Sequence, residues 1–580
     1  MSGNGHLLAL AVGPVQEFIA SARRTRDLWC GSNLLSRMSR AAAEAVVEQK
    51  GKLIFPPLGS LRGNVANVIL AELKIGLTPK DIAAAAGRAA AGVWEKEAGK
   101  AYNVAPAWVR KDIWDDQVGD VVEFYAAWLE LEPSQYPATR AKLMRLLAGR
   151  KACRNFKPAK GRALVPKSSL DGARESVIIL GDRAGMPVDL QRRLRLSDGE
   201  HLDVVGWTKR LGGGLQVYPS LMRIAADPWL WGVAHATPAP DGWAALLEAG
   251  EELKAEGSLG RIGWKRFNHF PFEGALAYAT RHKELAKETQ ANAALVKRAG
   301  EALARIKRDG FGEPEAYLAV IAADGDAMGK TIAGLKLMEQ HRDFSKDLAE
   351  FAGRAEKIVE QHYGALVFSG GDDVLALVPV DLALECARAL HDTFGDLMKV
   401  AGVRAGTKPT LSVGVAIGHA MDPMEDLLDR ARAAERRAKH SEGEGADRDG
   451  LCVTVHPRSG APLGVRTQWQ DLLDENLLTW ARLLREGKLP QRAAYHLRRL
   501  AADYENWKDT KAAGEAMRAD AVRMLRRKRG TGGAADTALL EELLAHVEKA
   551  ENLVKLGDRV LVARRVARGK EQAGNREAAR

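Results

Sequence analysis

A chain of 580 residues is longer than one ordinary hydrophobic core can organise, so three or four domains are expected. Its 46% apolar and 28% charged residues describe a soluble globular protein and exclude a disordered chain, and no apolar run approaches the roughly 18 to 20 residues of a membrane span. Four scattered cysteines without a C-x-x-C pair argue against a disulfide framework or a local zinc knuckle and suit a reducing cytoplasm, while the net charge of +11 suits contact with a polyanion.

The N-terminus has no basic leader segment, and its short apolar stretch "HLLALAV" (His6–Val12) reads as a strand, not as a signal peptide. It runs into "GPVQEFIASARRTRDLW", where Phe18, Ile19 and Ala22 recur at helical spacing. Two strand-like runs follow, "KLIFP" and "NVANVILAEL", then a Thr-Pro helix start at "TPKDIAAAAGRAAAGVWEKEA" and a further strand at "VVEFYAAWLEL". This is the ferredoxin-like βαββαβ order and marks a first domain over residues 1–132. Residues 133–307 are more irregular, mixing basic helices with loops, and are expected to form a helical connecting domain.

The opening pattern then returns over residues 308–460. "AYLAVIAADGDAMGK" (Ala316–Lys330) is a strand entering a helix, "DLAEFAGRAEKIVEQH" continues helical, and "GALVFSG" and "VLALVPV" are paired strands. "DLALECARALHDTFGDLMKV" is the second helix and "TLSVGVAIG" the fourth strand, with "PMEDLLDRARAAERRAKH" and "GLCVTVHP" adding a helix and a strand. Residues 461–580 are helical in pattern and are expected to form a C-terminal bundle whose basic tail, "RRVARGKEQAGNREAAR", is frayed. The fold class is α+β: two ferredoxin-like domains, a helical middle and a helical C-terminus.

The stretch "FSGGDDVL" carries two glycines and two aspartates between its strands. Taken alone it is an ordinary tight turn. In a ferredoxin-like sheet, however, the first strand lies beside this hairpin, so Asp324, with Asp326 near it, faces Asp372 and Asp373 from about 50 positions away. Clustered carboxylates repel unless cations neutralise them, and hard oxygen ligands suit Mg²⁺ or Mn²⁺. Two such ions about 4 Å apart activate a ribose hydroxyl and neutralise a triphosphate. Asp326 either joins this group or caps the following helix. Lys439 is either a solvated helix-end lysine or a cation for phosphates. Gly370 and Gly371 let the backbone approach a nucleotide. Laying "GNVANVILAEL" over "SGGDDVLALVP" puts Ala66 and Asn67 where Asp372 and Asp373 stand, so the first copy is expected to be inactive.

Together, "GPVQEFIASARRTRDLWCGSNLLS", "IAADGDAMGK", "FSGGDDVLALVP" and "TLSVGVAIGHAMDPMEDLLDRARAAERRAKH" resemble the large signature subunit of type III CRISPR complexes, above all its Cmr-type (III-B) branch. "GEHLDVVGWTKRL" and "YPSLMRIAADPWL" in the middle are similar to the same family. The resemblance implies two palm domains related to nucleotide cyclases and a polymerase–cyclase that joins ATP into cyclic oligoadenylates. Its partners would be guide RNA, target RNA and other Cmr-type subunits in the cytoplasm, with no membrane role. By position it implies Asp324, Asp372 and Asp373 as catalytic metal ligands for two Mg²⁺ or Mn²⁺ ions. Asp326, Ser369, Gly370, Gly371 and Lys439 would then be nucleotide contacts.

Two departures are expected. Many members of that family begin with an HD nuclease domain, and here the first palm starts almost at the N-terminus; "HD" at His391–Asp392 reads as a chance dipeptide inside a helix. A cysteine zinc site common in the middle domain is reduced to Cys153. The rival readings are a silent scaffold that docks RNA and partner subunits, and a diguanylate-cyclase-like enzyme working as a symmetric homodimer.

Overall fold

The computed structural model describes residues 5–59, 65–153, 161–179, 185–212, 218–440, 447–508, 510–527, 532–574 and 576. Its first sheet is built from β1 (Gly5–Gly13), β2 (Lys52–Phe55), β3 (Val68–Leu73) and β4 (Glu123–Leu131). They lie in the order β2-β3-β1-β4, every pair antiparallel. β1 is apolar at nearly every position because both of its faces are covered. Leu8, Leu10 and Val12 join a core with the helices Thr25–Glu48 and Pro79–Val104, while Leu7, Ala9 and Ala11 pack with the helix Tyr136–Ala152.

The second sheet has six strands: β5 (Tyr317–Gly325), β6 (Ala365–Gly370), β7 (Asp373–Pro379), β8 (Leu411–His419), β9 (Gly450–Val455) and β10 (Leu463–Gln468). Their order is β10-β9-β8-β5-β7-β6, antiparallel except for the parallel β8/β9 pair. The four strands β8-β5-β7-β6 repeat the arrangement β4-β1-β3-β2 of the first sheet, and the register repeats with it. Ala11 faces Val68 in one sheet and Ala323 faces Val374 in the other. Val12 is therefore the counterpart of Asp324, and Asn67 that of Asp373.

β5 is also buried on both faces. Leu318, Val320 and Ala322 enter the core shared with the first sheet; Ala319, Ile321 and Ala323 enter one shared with the helices Met338–Gln361 and Ala383–Ala405 and with the C-terminal helices. A fully buried Leu or Ile contributes roughly 1.5–3 kcal/mol, so this strand is among the most firmly held parts of the molecule.

Polar contacts complete the joint between the sheets. The Arg342 guanidinium donates to Glu72 at 2.6 Å and to the Leu53 carbonyl at 3.3 Å, and the Tyr136 hydroxyl meets His341 Nδ1 at 2.6 Å. The middle region grips β6, with the Tyr218 hydroxyl donating to Leu366 O at 2.6 Å and Arg266 Nε to Gly364 O at 3.1 Å.

Beyond residue 460 the chain departs from the helical expectation at once, because β10 pairs with β9 as the outermost strand. The tail departs further. Over its described part the tail is not frayed: the helix Ala550–Ala573 packs against β10 and the middle-region helix Leu221–Ala234, and Arg576 is 1% exposed, while 575 and 577–580 lie outside the described residues. Its basic composition hid this, since long-range ion pairs leave no local pattern. Among the described residues no helix is long and apolar enough to cross a membrane.

Candidate functional site

The ends of β5 and of the β6–β7 hairpin meet, as the topology predicts. β5 and β7 run side by side up to the pair Ala323 and Val374. The turn itself has two residues, Gly371 and Asp372, closed by the pair Gly370 and Asp373. Gly371 has φ +89°, which a two-residue hairpin loop with glycine in its first position favours. A Cβ on Gly371 would come no nearer than 4.0 Å to Phe55 of the first sheet, so this glycine also leaves open space beside the turn. Gly370 has another reason to be glycine, because a Cβ there would fall 2.1 Å from the Phe368 ring. A Cβ on Gly325 would stand 2.8 Å from Asp372 Cβ and 3.0 Å from its Oδ2, which places the turn directly against the end of β5.

The carboxylates here are short of positive charge. Asp372 is half-buried, and burial together with the neighbouring Asp373 pushes it up to about 7. Asp373 stands at the exposed end of β7, and loss of water around its carboxylate also raises it, with Arg432 pulling the other way. Asp324, opposite Ser412 in β8, is ion-paired with Lys439. Lys439 ends the helix Met424–Lys439, which can lie close on β8 because Gly414 has no side chain; a Cβ there would be 2.1 Å from Glu435 N. Burial and Arg448 lower the ammonium to about 8.

Sequence reasoning missed Glu435. It lies one helical turn before Lys439, 3.2 Å from its Nζ, and burial with Asp373 raises it to about 7. The only sequence signal was the i, i+4 spacing of Glu435 and Lys439. Arg432, which faces Asp373 electrostatically, was missed as well.

Asp326 does not cap the helix Met328–Gly334, whose first turn has no side-chain cap. It is 2% exposed, and its Oδ2 accepts from Thr410 Oγ1 at 2.9 Å, Ser412 Oγ at 2.8 Å and the Asp449 amide at 3.0 Å. These bonds tie the end of β5 to β8 and to the entry of β9, while Oδ1 is buried without a partner. Ser369 is fully buried with its hydroxyl unbonded, beneath the turn. His391 uses both ring nitrogens within the fold, meeting Asp392 at 2.8 Å and Asp449 at 2.9 Å while stacking on Trp469. Cys153 is an exposed free thiol.

Among the described residues, no three His, Cys, Asp or Glu side chains are gathered as a formed metal cage. The donor set nonetheless fits a hard divalent cation in kind: it is all carboxylate, and burial holds Asp372, Asp373 and Glu435 above their ordinary range, with Asp373 adding to the shift of the other two.

Comparison with known proteins adds to this geometry. Residues 317–452 match the family model "Cas10/Cmr2, second palm domain", and residues 7–111 match "CRISPR-associated protein Cmr2, N-terminal". The CRISPR system Cmr subunit Cmr2 of Pyrococcus furiosus is 32% identical over 217 residues, 33% of this chain and 24% of that protein, so the match spans about a quarter of that relative's length. In fold, the chain is similar to the type III-B Cmr-beta structure in its apo state, with TM-score 0.64 and 14% identity over 93% of this chain and 79% of that one. It is similar too to type III-B Cmr-beta bound to cognate target RNA, with TM-score 0.65 and 14% identity over 98% and 83%.

Proposed function

This chain is a Cas10/Cmr2-family protein, and on that premise we propose that it is the nucleotidyl-transferring subunit of a type III CRISPR ribonucleoprotein. In this reading the assembly holds guide RNA and other Cmr-type subunits in the cytoplasm. Pairing with target RNA switches on conversion of ATP into cyclic oligoadenylates. The two sheets are two ferredoxin-like palms, the first without catalytic carboxylates. The observation that carries the reading is the strand register, in which Ala323 pairs with Val374 so that Asp324 and Asp373 come next at the same end of the sheet, with Gly325 against Asp372.

Asp324, Asp372 and Asp373 would hold two Mg²⁺ or Mn²⁺ ions. Bound there, the ions would neutralise triphosphate charge and make a ribose hydroxyl more acidic. The chain's own groups do the rest. Gly371 leaves the turn open to a nucleotide, and Lys439, released from Asp324, offers its ammonium to phosphate with Glu435 as its remaining anchor. The ribose 3′-hydroxyl of one ATP attacks the α-phosphate of the next. The new phosphodiester forms as the bond to the β-phosphate breaks and pyrophosphate leaves. In-line placement and charge neutralisation supply most of the acceleration.

A second reading, a silent scaffold, is favoured by the ion pair that already occupies Asp324. Incubating the assembled complex with ATP and cognate target RNA, followed by mass spectrometry, decides between them. Cyclic 3′–5′ adenylates that depend on target RNA support the enzyme, and ATP left intact supports the scaffold.

A further inference from the structure

The hairpin that presents Asp372 and Asp373 is held at its far end by the last part of the chain. Tyr363 lies just before β6 and Asp381 just after β7, so together they mark the base of the hairpin. β7 is seven residues long, which puts the base roughly 20 Å from the turn. Arg576 lies between them. Its guanidinium stacks 3.8 Å from the Tyr363 ring centroid and donates to Asp381 Oδ2 at 3.2 Å. It also donates to Asp227 Oδ2 at 2.6 Å, on the middle-region helix Leu221–Ala234.

All three charged groups are buried, at 1%, 2% and 0% exposure for Arg576, Asp381 and Asp227. Asp227 is further bonded by Arg223 and by His269 Nε2 at 3.1 Å. Burial alone would raise Asp227, yet Arg576 and Arg223 hold it below the ordinary carboxylate range. Burial raises Asp381 to about 6 although Arg576 opposes this. A buried ion pair adds little net stability over well-packed apolar side chains, but each of its bonds has a direction. Arg576 therefore ties three separate segments into one arrangement.

We propose that Arg576 is a positioning residue for the Asp372–Asp373 turn: it clasps both ends of the β6–β7 hairpin to Asp227 and so sets where the turn stands relative to β5. The proposal deepens the metal-assisted reading of that turn and rests on it for its functional meaning, whereas its structural content is tested without turnover. Arg576→Met removes the clasp while leaving Asp227 paired with Arg223 and His269, so the chain should still fold. Arg576→Lys keeps the charge without the planar fork. Arg388→Met is the control, since it breaks the Arg388–Asp474 pair of the same sheet's helix Ala383–Ala405 away from the hairpin base.

Hydrogen exchange by mass spectrometry on each purified full-length chain, with Mn²⁺ affinity by electron paramagnetic resonance, provides the test. In Arg576→Met, amides of β6 and β7 should exchange about tenfold faster or more while β1 and β3 are unchanged, and Mn²⁺ should bind several-fold more weakly. Arg576→Lys should fall between, and Arg388→Met should match the parent protein in β6 and β7. Parental exchange in β6 and β7 of Arg576→Met, or equal loosening by Arg388→Met, overturns the proposal. If the parent protein binds no Mn²⁺, the metal reading of the turn fails, and the exchange data alone still decide whether the clasp exists.

Discussion

The two sheets share strand order and register but close the same end in opposite ways. In the first, Val12 and Asn67 occupy the positions of Asp324 and Asp373, and they bond to each other: Val12 N donates to Asn67 O at 2.8 Å and Asn67 Nδ2 to Val12 O at 3.3 Å. Neutral hydrogen bonds finish the strand. In the second, carboxylates stand at those positions, and burial together with repulsion from Asp373 raises the adjacent Asp372 to about 7. One scaffold thus ends in a sealed joint in one copy and in concentrated negative charge in the other. Carboxylates gathered at one strand end, only partly offset by Lys439 and Arg432, are a cost that function explains more readily than stability does.

The sharpest way to break this contrast is to make the second end neutral as well. Asp372→Asn with Asp373→Asn should lower ATP turnover by the assembled complex at least about a hundredfold, because the cation ligands are gone. Thermal unfolding should show the same or a higher Tm, since repulsion is relieved. Turnover near the parental rate in a pure double variant would place the chemistry elsewhere.

A second test separates the two copies at their joint. His341, bonded to Tyr136, is held down to about 3 by burial and by Arg140 and Arg342, so it stays neutral in the folded chain. An unfolded histidine takes a proton near pH 6.5. The stability from this site is therefore complete above that pH and is lost as pH falls below it, by about 1.4 kcal/mol per pH unit. Urea unfolding at steps of pH should show this slope, and His341→Gln should flatten it. An unchanged slope would mean that other groups govern the acid sensitivity.

The smallest effect belongs to the sealed end. Asn67→Ala removes one hydrogen bond, for a loss of about 1 kcal/mol in unfolding free energy, and should change ATP turnover by no more than a few-fold. A loss as large as that of the carboxylate pair would show that the active copy had been misassigned.

Much of this was legible in the sequence because the informative features are local. The doubly buried strands β1 and β5 show as continuous apolar runs, and the hairpin as two such runs around Gly-Gly-Asp-Asp. That β5 would run beside this hairpin followed from topology. Asp326 was ambiguous because its three bonds come from Thr410 just before β8, from β8 itself and from the loop before β9, more than 80 positions away. Glu435 looked like any solvent-facing helix residue until the close approach at Gly414 turned that helix end toward the turn. Arg576 was read as part of a loose basic tail, since neither Asp227 nor Asp381 lies near it in sequence.

The shared core between the two sheets has a consequence for how such a site can be governed. Leu8 and Leu10 of one copy and Leu318 and Val320 of the other belong to one continuous apolar interior within a single polypeptide. Enzymes that build a centre from two separate subunits lose it on dilution and regain it on crowding, so abundance itself becomes a control. Covalent linkage replaces that bimolecular encounter with a fixed, very high local concentration. The pairing of the copies is then insensitive to how much protein a cell contains, and any on–off control must reach the site by ligand or by shape change.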